Sequence, residues 1–402
     1  MTMNTDRSRR FSLPGIHELN KCQDAALALP LEGQHLIVGG PGTGKSVVAL
    51  LRARRLSRDA RRYKFLAFNS LLDQSSQYLF GTELPLKSTT LEKGFCNLWR
   101  KVFREEVPRL PQNQKSTYRS IDWKRVDNTI QKPPSDWLVN VRNRGLPFLI
   151  IDEGQDMPPT FYRTLVNLGF ENYYIVADQN QQIDPDSCSS RQDIENSIGM
   201  ESSETVQLTT NFRNTRPIAL LAEHFYPGDP ASPRPDLPSE NHLASIPELW
   251  RYGAPHLPSL AEISELILKA SDRDPKRLIG IITPNNVVRT AFVDALELSH
   301  PKLDSEKPSI QTYASDCRNQ LDFANGGIMV INAHACKGLE FDMAVLADID
   351  KHQPIHRSDD IKKRFYVMIA RAREQVILLR NGNDSDALAQ LLPTDTNTLA
   401  RR

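Results

Sequence analysis

Residues 36–46 read LIVGGPGTGKS, and this run constrains the fold more than any other stretch of the chain. Three apolar residues lead into a glycine-rich turn, after which Lys45 and Ser46 open a helix carrying Val47, Val48, Ala49 and Leu50. A strand, a tight loop and a helix in that order demand an α/β unit with the loop at the carboxyl end of its strand. Without Cβ atoms, Gly39, Gly42 and Gly44 let successive backbone N–H groups converge on a phosphate, with Gly40, Pro41 and Thr43 completing the cradle. The positive end of the following helix adds to that field. Lys45 supplies charge for β- and γ-oxygens, and the Ser46 hydroxyl is a Mg²⁺ ligand. The pattern predicts nucleoside triphosphate binding.

Further apolar runs at 65–68, 148–151, 173–177 and 206–208 alternate with helical periodicity and predict a parallel sheet around this loop. The run at 148–151 ends in Asp152 and Glu153. A carboxylate at a strand's carboxyl end beside a phosphate loop suits Mg²⁺, which assigns Asp152 to the metal. Its neighbour Glu153 can take a proton from an attacking water, which implies hydrolysis rather than binding alone. Phosphoryl transfer also needs positive charge on the γ-phosphate, commonly an arginine from across an interface. Arg213, Arg371 and Arg373 are the candidates, though on residue type alone each reads equally well as a surface arginine.

The interval 73–145 differs in character. Leu91, Phe95, Leu98, Trp99, Val102 and Phe103 fall at helical spacing, and a second helix is expected over 121–130. With 13 Lys/Arg against 8 Asp/Glu, the interval carries +5 inside a chain of net charge +1, so it reads as a helical insertion with a basic face. Pro227, Pro230, Pro233, Pro235 and Pro238 mark a stiff connection. The expected division is a first unit over 1–226, a connection over 227–256 and a second α/β unit over 257–402. That second unit has helices at 260–270, 287–296 and 361–373 and a last strand at 375–379. The final twenty residues read as loosely held.

Global composition narrows the classes. No apolar run reaches membrane-spanning length and the N-terminus lacks a signal-peptide core, so a cytoplasmic protein is expected. The five cysteines lie far apart, without a C-x-x-C pair, which argues against disulfides, zinc sites and iron–sulfur clusters. His352 and His356 could share a helical face, but without a further ligand nearby they read as solvated surface residues.

Taken in order, the motifs resemble those of a UvrD/Rep-type superfamily 1 helicase. Gln23 matches the adenine-reading glutamine upstream of the loop, and 39–46 matches motif I. Residues 67–69 (AFN) resemble motif Ia, which implies that Phe68 stacks on a base of single-stranded DNA beside Asn69. Residues 152–156 (DEGQD) resemble motif II, and Asp178 with Gln181 resembles motif III. In 208–213 (LTTNFR), similar to motif IV, Phe212 would lie against adenine and Arg213 on the γ-phosphate. Residues 332–342 (NAHACKGLEFD) are similar to motif V, which implies a nucleic-acid contact at His334 and a nucleotide contact at Glu340. Residues 366–373 (YVMIARAR) are similar to motif VI and make Arg371 the inter-domain arginine.

The resemblance implies two RecA-like domains with ATP and Mg²⁺ between them. Lys45, Ser46, Asp152 and Glu153 would come from one side, Arg371 and Glu340 from the other. It also implies movement along single-stranded DNA, or DNA with single-stranded ends, driven by ATP hydrolysis. The chain departs from the family in size. Residues 299–327 are too short for the usual second insertion, and 182–187 (QIDPDS) lack the DNA-stacking aromatic that commonly follows motif III. Val47 and Ala370 replace the Arg and Thr common in motifs I and VI. A second class is therefore carried alongside the motor: an ATPase subunit that senses DNA or nucleotide and regulates a partner nuclease in anti-phage defence.

Overall fold

The computed structural model describes residues 8–9, 12–81, 84–111, 119–131, 133–182, 188–228, 231–313, 320–352, 358–382 and 390–402. The segment 183–187, Pro230 and His356, all singled out above, and Cys317, one of the five cysteines, lie outside the described residues.

Two all-parallel sheets organise the chain. The strands of the first are β1 (Gln34–Gly39), β2 (Tyr63–Ala67), β3 (Ser88–Thr90), β4 (Phe148–Ile151), β5 (Tyr173–Ala177) and β6 (Val206–Leu208), side by side as β3-β2-β4-β5-β1-β6. The second holds β7 (Glu248–Tyr252), β8 (Leu278–Thr283), β9 (Ile310–Thr312), β10 (Gly327–Asn332), β11 (Phe341–Leu346), β12 (Ala372–Asn381) and β13 (Ala400–Arg401), ordered β13-β7-β12-β11-β8-β10-β9. Parallel neighbours need crossover helices that cover the sheet faces, so central strands are apolar throughout; β5 and β8 are buried at every residue. The helices are α1 (Lys21–Ala28), α2 (Lys45–Arg58), α3 (Ser70–Phe80), α4 (Leu91–Phe103), α5 (Trp123–Thr129), α6 (Ser135–Arg144), α7 (Pro159–Asn167), α8 (Arg191–Ile198), α9 (Arg216–His224), α10 (Leu260–Arg273), α11 (Asn286–Leu298) and α12 (Ser358–Ile369). Two parallel sheets covered by helices are consistent with the two RecA-like units that the motifs imply.

Within 73–145, Thr90 caps α4 by accepting from the Lys93 N–H. The apolar stripe of α4 buries Leu91, Phe95, Trp99 and Val102. Phe95 meets Phe161 of α7, ring centroids 5.6 Å apart, so these helices share the core of the first sheet. The interval also contains β3, a Ser-Thr-Thr strand too short to show alternation.

Four other details depart from the sequence expectations. Strand β7 lies within 227–256, the interval read as connection, and pairs with β12. Helix α9 follows the first sheet in sequence yet packs on the second, where Phe225 stacks on Phe365 at 5.1 Å. Helix α12 stops at Ile369 rather than running to 373. The Arg371 N–H turns back to the Met368 carbonyl, and the Arg371 carbonyl accepts from Phe341, drawing Ala372 into the ladder with β11. The chain end is anchored: Leu392 and Leu399 are buried, and β13 pairs with β7.

His352 is not a solvated surface residue. It is buried against Phe365, with Nε2 bonded to the Ala347 carbonyl. Burial pushes its imidazole down to about 4, aided by Arg364 and opposed by that carbonyl and by Asp348. A group depressed on folding contributes stability above its unfolded value near 6.5 and loses it as pH falls towards 4. The loss is expected to reach about 3 kcal/mol. Thermal melts from pH 7 to pH 4 are expected to fall more steeply for the wild type than for His352→Leu, and equal slopes would remove His352 as the acid-sensitive group.

Among the described residues, no helix is long and apolar enough to cross a membrane. Cys22, Cys96, Cys188 and Cys336 carry free thiols.

Candidate nucleotide site between the two sheets

Strands β4, β5 and β1 are neighbours, so the residues that leave their carboxyl ends meet at one sheet edge: Asp152 and Glu153 after β4, Asp178 after β5, the glycine-rich loop after β1. Gly44 takes the left-handed φ of +87° that starts α2, and the buried Gln23 amide lies against it. Gln23 Nε2 donates to the Thr43 carbonyl at 3.0 Å, and its Oε1 accepts from the Asn20 N–H at 3.2 Å. The candidate adenine reader thus also braces the loop and closes the capping box of α1. Lys45 is buried, and desolvation lowers its pKa against the pull of Asp178 and Glu153. Its Nζ donates to the Gly39 and Gly40 carbonyls at 2.8 and 2.9 Å and lies 3.6 Å from Asp178 Oδ2. An ammonium held by neutral carbonyls is free to exchange them for phosphate oxygens at little cost.

The loop is roofed by distant chain. The Phe212 N–H donates to the Gly42 carbonyl at 2.9 Å. A Cβ on Gly40 would overlap the ring of Pro235, so the proline-marked connection rests directly on the loop. That strap is pinned by Ser232, whose hydroxyl donates to Asp178 at 3.0 Å, and by Asp236, whose N–H donates to the Thr209 carbonyl at 2.7 Å.

The acidic pair occupies contrasting surroundings. Asp152 Oδ1 accepts from the Glu153 N–H at 2.9 Å, while Oδ2 is buried without a hydrogen-bond donor. Burial, then the charge of Glu153, pushes Asp152 up to about 7, and Ser46 and Lys45 pull against that. An unpartnered buried carboxylate oxygen beside a serine hydroxyl is a donor set suited to a hard divalent cation, so the residues fit Mg²⁺. Glu153 takes a left-handed φ of +56°, uncommon for a side chain of this kind and characteristic of functional turns. Its burial alone would raise the pKa, but Lys337, Lys45 and Arg371 outweigh it and hold the carboxylate ionised. Gln155 bridges the strand ends, donating to Glu153 Oε2 at 2.7 Å and accepting from the Asp178 N–H at 3.0 Å.

From the second sheet, Arg371 is fully buried and its guanidinium donates to Gln181 Oε1, with Nε on the Val367 carbonyl at 3.0 Å. Gln181 in turn donates to Asp178 Oδ2 at 2.6 Å, the oxygen facing Lys45. Lys45 and Arg371 therefore stand on two sides of one cleft, joined through Asp178 and Gln181. Arg213 bonds to Glu340 and, at 3.2 Å, to the Ala370 carbonyl. Burial would raise the Glu340 pKa, but Arg213, Arg373 and Arg371 keep it low. Phe212 is 53% exposed beside the loop, placed to offer a ring face.

The residues assigned to nucleic acid are more dispersed. Phe68 is half-buried at the end of β2, Asn69 caps α3 through the Leu72 N–H at 2.8 Å, and His334 is exposed in the turn after β10. Sequence reasoning passed over Lys337, Gln155 and Asp156 as site residues although all three lie inside quoted motifs. Lysine beside Gly338 was the available signal, but only tertiary packing turns its side chain across the cleft. Asp156 is pushed up to about 7 by burial, against Lys337 and with Glu153.

A family model for the UvrD-like helicase C-terminal domain matches residues 327–379, from β10 through α12 and into β12. Among solved structures, the C-terminal domain of a possible DNA helicase from Lactobacillus plantarum WCFS1 is similar at 17% identity and TM-score 0.33, over 48% of this chain and 99% of that one. No curated protein matches the sequence. Residues 327–379 carry Glu340, Lys337 and Arg371 into the cleft, and over those residues the chain is similar to the C-terminal domain of UvrD-like helicases.

Proposed function

We propose that this chain is an ATP-driven motor on DNA, hydrolysing ATP in the cleft between the two sheets and using closure and reopening to step along single-stranded DNA. The observation that supports it best is the run Lys45–Asp178–Gln181–Arg371, which ties a cation of each sheet to shared acceptors of the first. In this reading Gly40, Pro41, Gly42, Thr43 and Gly44 cradle the phosphates while Lys45 leaves its two carbonyls for them. Ser46 and Asp152 would hold Mg²⁺, which would supply neutralisation of phosphate charge. Glu153, already ionised, receives the proton of the attacking water. Arg371 and Arg213 meet the charge that develops on the transferred group, and Gln181 aligns Arg371 with it. Gln23, Phe212 and Glu340 face the nucleoside. Phe68, Asn69 and His334 serve the DNA, with Phe68 as a stacking platform. Loss of the γ-phosphate contacts on hydrolysis lets the sheets part.

The test is ATP hydrolysis with and without single-stranded DNA, duplex DNA and RNA across a salt series. Stimulation by single strands is expected, weakening steeply with salt because phosphate contacts dominate affinity. Lys45→Ala is expected to abolish tight ATP binding measured by calorimetry. Wild-type affinity in that variant would show the loop assignment wrong.

A further inference from the structure

We propose that Lys337 is a positioning residue that couples the ring of Phe68 to the carboxylates behind it, so that a base stacking on Phe68 governs how Glu153 is held. The inference rests on the ATPase reading above and adds a route by which nucleic acid controls it.

Lys337 belongs to the second sheet, in the turn between β10 and β11, yet its side chain is wholly buried in the first. An ammonium has three donors and no acceptor. Here Nζ donates to Asp156 Oδ2 at 2.5 Å and to the Gln181 carbonyl at 2.7 Å, stands 3.9 Å from Glu153 Oε2, and lies 5.2 Å from the centroid of the Phe68 ring. Phe68 and Glu153 follow β2 and β4, adjacent parallel strands, so Lys337 is wedged between the ends of both. One cation thus touches the candidate base platform, the candidate general base, and the backbone of the residue that holds Arg371.

The neighbourhood is built to transmit displacement. Helix α3 begins at Ser70, one residue beyond its cap Asn69 and so close behind Phe68, and a Cβ on Gly338 would overlap Leu72 on that helix. The same helix reaches the second sheet through Ser70 on Tyr313 at 2.6 Å and Gln74 on the Leu321 N–H at 2.9 Å. A base laid on Phe68 changes the electron-rich face that the ammonium shares, and the ammonium can answer only by moving relative to Asp156 and Glu153. A lysine that merely glued the sheets would need the ion pair with Asp156 and no aromatic partner.

The deciding experiment is a double-mutant cycle on ATP turnover over a series of oligo-dT concentrations, using the full chain: wild type, Phe68→Leu, Lys337→Met and the double variant. Lys337→Met is expected to lose at least about tenfold in kcat at saturating oligo-dT with less than about threefold change in KM for ATP. Phe68→Leu is expected to lower the fold-stimulation by oligo-dT, and to have no further effect in the Lys337→Met background. Lys337→Arg is expected to recover part of the stimulation. Independent, multiplicative effects of the two substitutions, or full stimulation in Lys337→Met, would overturn the coupling while leaving the ATPase reading intact. A wild type that hydrolyses no ATP, or is not stimulated, would overturn both. Should Lys337→Met fail to fold, undiminished stimulation in Phe68→Leu alone would be enough to reject the link.

Discussion

Substituting Gln for Glu153 is expected to slow ATP turnover by about 10²–10⁴-fold while ATP and Mg²⁺ still bind. The amide keeps the shape of the carboxylate and can still accept the Gln155 hydrogen bond, 2.7 Å long in the wild type. What it cannot do is take a proton. The cleft spends three cations, Lys337, Lys45 and Arg371, on keeping this one buried carboxylate charged, an arrangement that a purely structural glutamate would not need. Single-turnover phosphate release, read beside calorimetric nucleotide binding, checks the prediction. Unchanged release would strip Glu153 of the role of base.

Arg371→Ala is expected to lose about 10³–10⁵ in turnover, the range found for arginines that meet a transferring phosphoryl group from across an interface. ATP affinity should fall far less, because the charge it answers grows mainly in the transition state. Its removal also strands Gln181 Oε1, which costs about 1–3 kcal/mol of stability. A thermal melt alongside the kinetics separates the two losses, and Arg371→Lys should retain the fold with poor turnover because a point charge cannot reproduce the guanidinium fork. Near-normal turnover in the alanine variant would sever the second sheet from the chemistry.

Much of the geometry of the candidate nucleotide cleft was legible because its parts are local. A glycine-rich turn between strand and helix, and an acidic pair closing an apolar run, each carry their geometry within a few residues, so Lys45, Ser46, Asp152 and Glu153 could be named before any packing was known. The four longer strands of the first sheet, β1, β2, β4 and β5, were legible for a similar reason: buried parallel strands are nearly continuous apolar runs. What escaped detection depends on partners far along the chain. Strand β3 is Ser-Thr-Thr, without an apolar residue to mark it, and β13 is only two residues long. Strand β7 hides behind prolines and shows itself only by pairing with β12. The end of α12 is set by the demand of β11 for a neighbour at Ala372, against a helical pattern that runs on. His352 is polar by type and buried by circumstance. Lys337 is the sharpest instance, since nothing about its neighbours in sequence says that its side chain crosses to the other sheet.

The strap over the phosphate loop has a mechanical consequence. The tether joining the halves leans its Pro235 ring on Gly40 and anchors Ser232 to the aspartate that Lys45 faces. A widening of the gap would pull on that tether, and its contact with Gly40 would pass the strain to the glycine-rich loop. In the motor reading proposed above, hinge travel and admission of the triphosphate would be geared to one another by a single length of backbone.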